Sequence, residues 1–305
     1  MRKAIVDMGT NTFHLMVVDF EQTGYKILWN EKIQVKLGVG GINRNTITSE
    51  AIDRAITTLK KFKIKASEFH VSEILAFGTS AMRNADNKDF VVEKIKNETG
   101  IQTKIISGDE EAKLIYEGVN LALKLENEKA LIVDIGGGSV EFIIGNGKEI
   151  FWKQSFEIGG QRLLERFQKH DPIHNSEIDE VTSYLKESLV SLADSMTVHS
   201  PKTLAGSSGT FDTLSEIYCK QSGIEYPDLP ETPFAHEAFQ KIYQEIISKN
   251  RAERMQIPGM IELRVDMIVV SCILVKFILD SFLFEKIRVA SFSLKEGVLA
   301  SLLKS

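Results

Sequence analysis

Residues 130–144 read ALIVDIGGGSVEFII, and this stretch decides the fold. Ala130 to Asp134 is an apolar run of strand length, Gly136-Gly137-Gly138-Ser139 is a turn, and Val140 to Ile144 returns as a second apolar run. Glycines in such a turn let backbone N–H groups line a concavity that suits an anion, and the serine adds a hydroxyl donor without bulk. The start of the chain has the same layout: KAIVDM (3–8) leads into the turn Gly9-Thr10-Asn11, and TFHLMVVDF (12–20) returns. Asp7 and Asp134 each close an apolar strand and each is followed two residues later by glycine, at an offset of 134 − 7 = 127 residues. One such hairpin is an ordinary tight turn. Two of them, about a domain apart, predict loops that face each other across a cleft and grip a phosphate chain from both sides.

Outward from the two hairpins, strand and helix alternate. A third strand is expected over 25–35, then a glycine-rich loop at Gly38, Gly40 and Gly41. Ile52, Ala55, Ile56, Leu59 and Phe62 recur at helical spacing after a Thr48 or Ser49 cap. Strands at 71–77 and 101–106 flank a helix near 86–98 that Gly100 ends. The second half is read as mostly helical, over 159–168, 176–198, 210–219, 234–248 and 260–283, with short strands at 202–205 and 287–291. The softest connection is 222–233, with Pro227, Pro230 and Pro233. This pattern is α/β.

The chain has 305 residues, 43% hydrophobic and 26% charged, the composition of a soluble globular protein long enough for two cores. A formal charge of −5 recruits neither nucleic acid nor an anionic membrane, so a polyanion must be held by a local site. Cys219 and Cys272 cannot form a disulfide framework, and no signal-peptide pattern precedes the first strand. The most apolar run, Met267 to Phe284, is interrupted by Lys276 and Asp280 and is read as a buried helix rather than a membrane span. These readings together predict a cytoplasmic protein.

A third loop, Gly206-Ser207-Ser208-Gly209-Thr210, precedes a helix whose N-terminal N–H groups favour phosphate. No Gly-Lys-Ser/Thr ends a glycine-rich run, and no Gly-x-Gly-x-x-Gly opens a helix, so neither a Walker loop nor a dinucleotide fingerprint is present. His170 and His174 are four apart with Pro172 between them, which argues against a continuous ligand-bearing helix, and no cysteine–histidine zinc spacing occurs.

The segment Asp7-Met8-Gly9-Thr10-Asn11-Thr12-Phe13-His14-Leu15 resembles the first phosphate motif of the exopolyphosphatase/guanosine pentaphosphate phosphatase (Ppx/GppA) family. So do Gly78 to Arg83, Ser107-Gly108-Asp109-Glu110-Glu111-Ala112, Asp134 to Glu141, Gly206 to Thr210, Arg264-Val265-Asp266 and Leu294-Lys295-Glu296-Gly297, in that order along the chain. The Ser-Gly-x-Glu-Glu-Ala segment is the specific signal, since Asp-Ile-Gly-Gly-Gly-Ser is shared across a wider superfamily.

The resemblance implies an actin/hexokinase/Hsp70-like fold: two duplicated ribonuclease-H-like domains, residues 1–124 and 125–293, with the cleft between them. It also implies that a terminal helix, about 294–305, packs back on the first domain. The implied activity is Mg²⁺-dependent release of the terminal phosphate of polyphosphate or pppGpp, with Mn²⁺ as an alternative metal. By residue-to-residue match, Glu111 falls on the family's base for the attacking water. Asp109 and Glu110 read only as complements to a helix N-terminus. Asp134 matches the Mg²⁺ carboxylate and Glu141 a second acidic residue, in the metal shell or orienting water. Asp7 is either a further shell member or the cap of its own turn. Arg83 is assigned the cation on the scissile phosphate, since a guanidinium can fork onto two of its oxygens. Gly9, Thr10, Asn11, Thr12, Gly136, Gly137, Gly138 and Ser139 supply the phosphate grip, together with the third loop. A homodimer is the family expectation, and His14 is expected to be structural.

The chain departs from the family pattern at Val140, where threonine is usual, and at Lys36, where arginine is common. Longer relatives add a helical region after the two domains, so the expectation is for short polyphosphate or pppGpp to be handled at least as well as long chains. Two other readings share the motifs: a superfamily kinase using ATP, and a sensor that binds pppGpp or ppGpp with weak activity. The Glu111 segment favours hydrolysis over the kinase, and the intact acidic set argues against the sensor.

Overall fold

The computed structural model describes residues 1–21 and 24–304; Ser305, the last residue of the expected terminal segment, lies outside the described residues. The first sheet contains β1 (Arg2–Met8), β2 (Thr12–Glu21), β3 (Gly24–Gln34), β4 (Glu73–Gly78) and β5 (Thr103–Ile105), in the order β3-β2-β1-β4-β5. The second contains β6 (Ala130–Ile135), β7 (Val140–Gly145), β8 (Ile150–Phe156), β9 (Thr203–Ser207), β10 (Glu231–Thr232) and β11 (Lys286–Ala290), in the order β10-β11-β9-β6-β7-β8.

The two sheets share one plan. A hairpin of antiparallel strands, β1–β2 or β6–β7, is extended by a third antiparallel strand on one side, and a parallel strand, β4 or β9, flanks the other. The repeat holds at the level of register. Asp7 sits opposite His14 on β1–β2 and Asp134 sits opposite Glu141 on β6–β7, so the partners keep the same offset, 141 − 14 = 127 residues. This is the duplicated ribonuclease-H-like plan of the actin/hexokinase/Hsp70-like fold.

Burial explains which strands are central. Every residue of β6 and β7 is buried, as apolar strands covered on both faces must be, whereas no residue of β3 is fully buried, as fits an edge strand. Each sheet has its own apolar core, and a third core joins them. Ile5, Met16 and Val18 of the first sheet and Ile132, Ile143 and Ala205 of the second pack with Ile115 and Val119 of the helix Gly108–Leu123.

The helix Leu294–Leu303 lies across that helix and completes the shared core with Leu294, Val298 and Leu299. The crossing is close because both helices present glycine: a Cβ at Gly297 would lie 1.7 Å from the Leu114 carbonyl oxygen, and one at Gly118 would lie 2.1 Å from that of Ser293. Backbone therefore meets backbone where any side chain would hold the helices apart.

The helix Ser49–Glu68 buries the predicted face, and the Thr48 hydroxyl accepts from the Ala51 N–H at 3.3 Å. Elsewhere the elements differ from expectation. The span 176–198 forms two helices, Asn175–Ser188 and Val190–His199, because buried Leu189 (φ −103°, ψ 24°) leaves helical geometry between them. In the span 260–283 the helix begins only at Ile268 and ends at Ser281, the first residues being used in turns. Strand β8 has no alternating pattern to betray it, since six of its seven residues are half-buried. Cys219 and Cys272 are both free and buried. Among the described residues no helix is long and apolar enough to cross a membrane.

Candidate active site

Both glycine turns open on one cleft between the sheets. Gly9, Thr10, Asn11 and Thr12 line it from the first lobe, and Gly136, Gly137, Gly138 and Ser139 from the second. The loops nearly touch: a Cβ at Gly138 would fall 2.5 Å from both the Thr10 and Ser80 hydroxyl oxygens. Only glycine fits there, and its absent side chain leaves backbone N–H groups free to face an anion.

The four carboxylates expected at the site enter the same space. Asp7 and Asp134 come from the ends of β1 and β6, Glu141 from β7, and Glu111 from the first turn of the helix Gly108–Leu123. Ser107 sets that helix's start, its hydroxyl accepting from the Glu110 N–H at 3.1 Å. Glu111 is buried and faces the cleft, while Glu110 and Asp109 pair on the exposed side with Lys104 and Lys153. One helix turn thus separates three consecutive acids into surface and cleft roles.

Arg83, at the end of the short helix Ser80–Arg83, places Nη1 2.6 Å from Glu111 Oε2. Its Nη2 lies 3.5 Å from the Ser139 hydroxyl and 3.2 Å from Glu157 Oε1. Ser139 and Ser155 both donate to Glu141 Oε1, at 2.7 and 2.6 Å. Arg83, Glu111, Ser139 and Glu141 therefore form one chain of contacts joining the lobes.

The clustering is written into the acid–base behaviour. Burial pushes Glu111 up to about 7, against the pull of Arg83. Burial, then the charge of Glu111, likewise takes Asp7 up to about 7. Glu141 is held well above the carboxylate range by burial and by the charges of Glu111 and Asp134. Burial raises Asp134 too, but hydroxyls of Ser293, Ser208 and Ser207 oppose it.

Such a set of negative donors suits a hard cation. All the donors are oxygens, as Mg²⁺ prefers. The three serine hydroxyls converge on Asp134 Oδ2, from Ser208 at 2.8 Å, Ser207 at 3.3 Å and Ser293, while Oδ1 has no hydrogen-bond donor among the described residues. One oxygen of Asp134 is thus fixed by the protein and the other is left for a ligand. By donor type Asp134, Glu141 and Asp7 suit Mg²⁺, although the three do not bring one oxygen each within 4.8 Å of one another.

Several residues in the cleft were not singled out by sequence. Lys32, Asp212, Arg264 and Lys295 line it, and so does His14, for which only a structural part was expected. Burial, then the charges of Lys295, Lys32 and Arg264, depress His14 well below the usual histidine range, so it stands as a neutral imidazole. Arg264 packs its guanidinium on Gly209, where a Cβ would meet Nη2 at 1.8 Å, and among the described residues it faces the charges of Asp212 and Asp134 without a hydrogen bond to either. It is a half-buried cation left for an anion. Lys295 pairs with Glu296 at 2.8 Å, and both are buried. Arg264 and Lys295 did lie in recognised segments, but nothing local marked their side chains as cleft-facing.

The third loop is corrected in part. Ser208 and Gly209 line the cleft and Ser207 supports Asp134, but Gly206 is covered by the Phe211 ring, 2.1 Å from where its Cβ would be. Thr210 is buried outside the cleft lining. These two positions shape the loop and do not face a ligand there.

Comparison with known proteins shows the family to which this fold belongs. Residues 16–305 match the model of the Ppx/GppA phosphatase family. The fold superposes on the crystal structure of an exopolyphosphatase from Cytophaga hutchinsonii with a TM-score of 0.97 and 43% identity, covering 100% of this chain and 98% of that one. A Ppx/GppA family member from Aquifex aeolicus aligns with a TM-score of 0.80 and 26% identity, covering 100% of this chain and 98% of that one. A bifunctional 3-dehydroquinate synthase/phosphatase of Fusobacterium nucleatum is 31% identical over 293 residues, which are 92% of this chain and 43% of that protein. The chain therefore spans less than half the length of that relative. With two facing glycine turns and an acidic cluster in one cleft, and a family match over nearly the whole sequence, the chain belongs to the Ppx/GppA phosphatase family.

Proposed function

We propose that this protein hydrolyses the terminal phosphoanhydride of a polyphosphorylated substrate, inorganic polyphosphate or pppGpp, in a Mg²⁺-dependent reaction with Glu111 as general base. The observation that carries the reading is the part-buried Arg83–Glu111 pair, 2.6 Å apart, set beside two facing glycine turns. A base and a cation held together at the position of a terminal phosphate are what in-line attack by water needs. The 43% identity to an exopolyphosphatase supports inorganic polyphosphate as the first substrate to test.

In this mechanism the terminal phosphate lies between the turns at Gly9–Thr12 and Gly136–Ser139, held by their backbone N–H groups and hydroxyls. Asp134 and Glu141, with Asp7 beside them, would hold Mg²⁺, whose chemistry there is to neutralise charge on the phosphate oxygens. Glu111 accepts the proton of a water as its oxygen bonds to phosphorus, and the bridging P–O bond breaks to leave the shortened chain as an oxyanion. A carboxyl raised to about 7 is a stronger base than an exposed glutamate while still ionised in a useful fraction at neutral pH. Arg83 neutralises charge on the phosphoryl oxygens. Lys32, Arg264 and Lys295 offer cations to the rest of the substrate.

The test is phosphate release from medium-chain polyphosphate and from pppGpp in parallel, with Mg²⁺ or with EDTA. Release from at least one substrate that EDTA abolishes is expected. Release from neither, or transfer of phosphate from ATP to an added acceptor, would overturn the proposal.

A further inference from the structure

The loop after the helix Gly160–Phe167 holds two histidines that the phosphatase chemistry does not use. His170 and His174 do not share a helix, as Pro172 predicts, yet the folded loop stacks their rings with centroids 3.7 Å apart and planes 10° apart. Glu177 joins them: its Oε1 lies 3.1 Å from His170 Nδ1. One ligand atom from each of the three side chains falls within 4.8 Å of the others, the only such group of histidine, cysteine or acidic side chains among the described residues.

The frame around these groups is firmly held. Glu177 Oε2 accepts from the His174 N–H at 2.9 Å and Oε1 from the Lys169 N–H at 2.7 Å, so one buried carboxylate pins both ends of the loop. Burial pushes this carboxyl up, but the two backbone N–H groups and His170 outweigh it and keep Glu177 below its usual range, a ready anion. Between the histidines, Asp171 takes Arg254 Nη1 at 2.6 Å and the Arg251 N–H at 2.7 Å, and Arg254 itself is 2% exposed. Capping explains Glu177, and the Arg254 pair explains Asp171. Neither accounts for two imidazoles brought together at the same carboxylate.

We propose that His170, His174 and Glu177 form a second metal site, for Zn²⁺, separate from the cleft carboxylates. Two imidazoles and one carboxylate are ligands Zn²⁺ takes, with a fourth position for water. The 3.1 Å between His170 Nδ1 and Glu177 Oε1 is close to the roughly 3.3 Å edge of a tetrahedron whose bonds are about 2.0–2.1 Å. The ion takes the place of the proton between those atoms, and the exposed His174 ring rotates toward it to complete the set. Each ligand side chain hangs from backbone already fixed, so little ordering remains when the ion binds.

The site adjoins a helix that ties the lobes together. On the helix Gly160–Phe167, Glu165 accepts from the Gly40 N–H at 2.9 Å, and Arg162 donates to the Ile42 carbonyl at 2.8 Å and the Gly138 carbonyl at 2.9 Å. An ion on the loop that follows anchors the end of this clasp. Its expected effect is on the stability of the closed arrangement, and it touches no reacting atom.

The experiment is Zn²⁺ binding to the full chain in excess Mg²⁺, which occupies the hard-oxygen cleft, with metal analysis after equilibrium dialysis. One Zn²⁺ per chain is expected for wild type. His170→Ala and His174→Ala are each expected to weaken binding by at least about tenfold, the scale reported even for outer-shell partners. Glu177 is left intact because it caps the helix. Zn²⁺ at 100-fold excess over its Kd is expected to raise Tm by roughly 5–10 °C in wild type and not in the double histidine variant. As a check that needs no variant, the ring-nitrogen NMR resonances of two histidines are expected to shift on adding Zn²⁺. Equal Zn²⁺ binding by wild type and double variant, no binding, or unmoved ring nitrogens would each overturn the proposal.

Discussion

Glu111 Oε2 lies 2.6 Å from Arg83 Nη1, although the two side chains come from different helices and are 28 residues apart. The pair is the junction of the site. Arg83 continues to Ser139 and Glu157 of the second lobe, while burial keeps Glu111 more basic than an exposed carboxylate. Arg83 thus reaches across to the second lobe while its charge opposes the rise that burial imposes on Glu111.

The first consequence is a pH profile. With Glu111 raised to about 7 and required as a base, activity should fall on the acid side as it protonates. The kcat/KM profile, measured at saturating Mg²⁺, is expected to rise through an acid limb between about pH 5 and 7. Bound cation favours the ionised carboxylates and places the limb at or below the value of the free protein. A profile flat from pH 5 to 8 would remove Glu111 from the role.

Stability should follow the opposite course. Asp7 and Glu111 bind protons more tightly folded than unfolded, with folded values of about 7. Between about pH 4.5 and 7 the folded state therefore holds the greater number of protons, and stability from this cluster is lost as pH rises through that window. In EDTA, the contribution of these groups should make Tm decline from pH 5.5 to 8. Mg²⁺ should restore more at pH 8 than at pH 5.5, because ionised carboxylates repel one another and attract the ion. Thermal melts at both pH values with and without Mg²⁺ would check this, and an equal Mg²⁺ effect at the two would count against the assigned ligands.

Glu157 holds the same groups a phosphate needs. Its Oε2 accepts from the Ser80 hydroxyl at 2.6 Å and Arg162 Nη2 at 3.2 Å, and its Oε1 from Arg83 Nη2 at 3.2 Å. If Arg83 binds the phosphoryl group as proposed, this carboxylate competes with substrate for it. Glu157→Gln is expected to lower KM by about 3–10-fold with kcat retained, a modest effect because Glu157 is 39% exposed. A raised KM would show instead that Glu157 positions Arg83 productively.

The crossing at Gly297 has no room for a side chain. Gly297→Ala puts a Cβ 1.7 Å from the Leu114 carbonyl oxygen, which only a shift of the last helix can relieve. The cost expected is about 2–4 kcal/mol, read as a drop in Tm of roughly 5–10 °C. Because the helix also carries Lys295 and follows Ser293, activity should fall at temperatures where the variant is still folded. An unchanged Tm would mean that the crossing is looser than described.

What was legible in the sequence was local. Strand–turn–strand chemistry around Asp7 and Asp134 is confined to short segments, and the register that pairs Asp7 with His14 and Asp134 with Glu141 follows from it. The cap at Ser107 places Glu111 on the inner face of its helix within a single turn. The cations were hidden because only tertiary folding brings them in: Lys32 from an edge strand, Arg264 from a turn before the long apolar helix, and Lys295 from the last helix. Glu157 gave no signal, being a charged residue just after a half-buried strand. Gly206 and Thr210 were over-read for the converse reason, since a glycine-rich composition does not say which of its residues faces the ligand.

The most direct test is single-turnover phosphate release from polyphosphate and pppGpp in Mg²⁺ by wild type and Glu111→Gln, with substrate binding measured alongside. A rate lowered by about 10²–10⁴-fold with binding unchanged is predicted for a lost general base. A variant that releases phosphate within a few-fold of the wild-type rate would contradict the account, and the base would have to be sought elsewhere in the cleft.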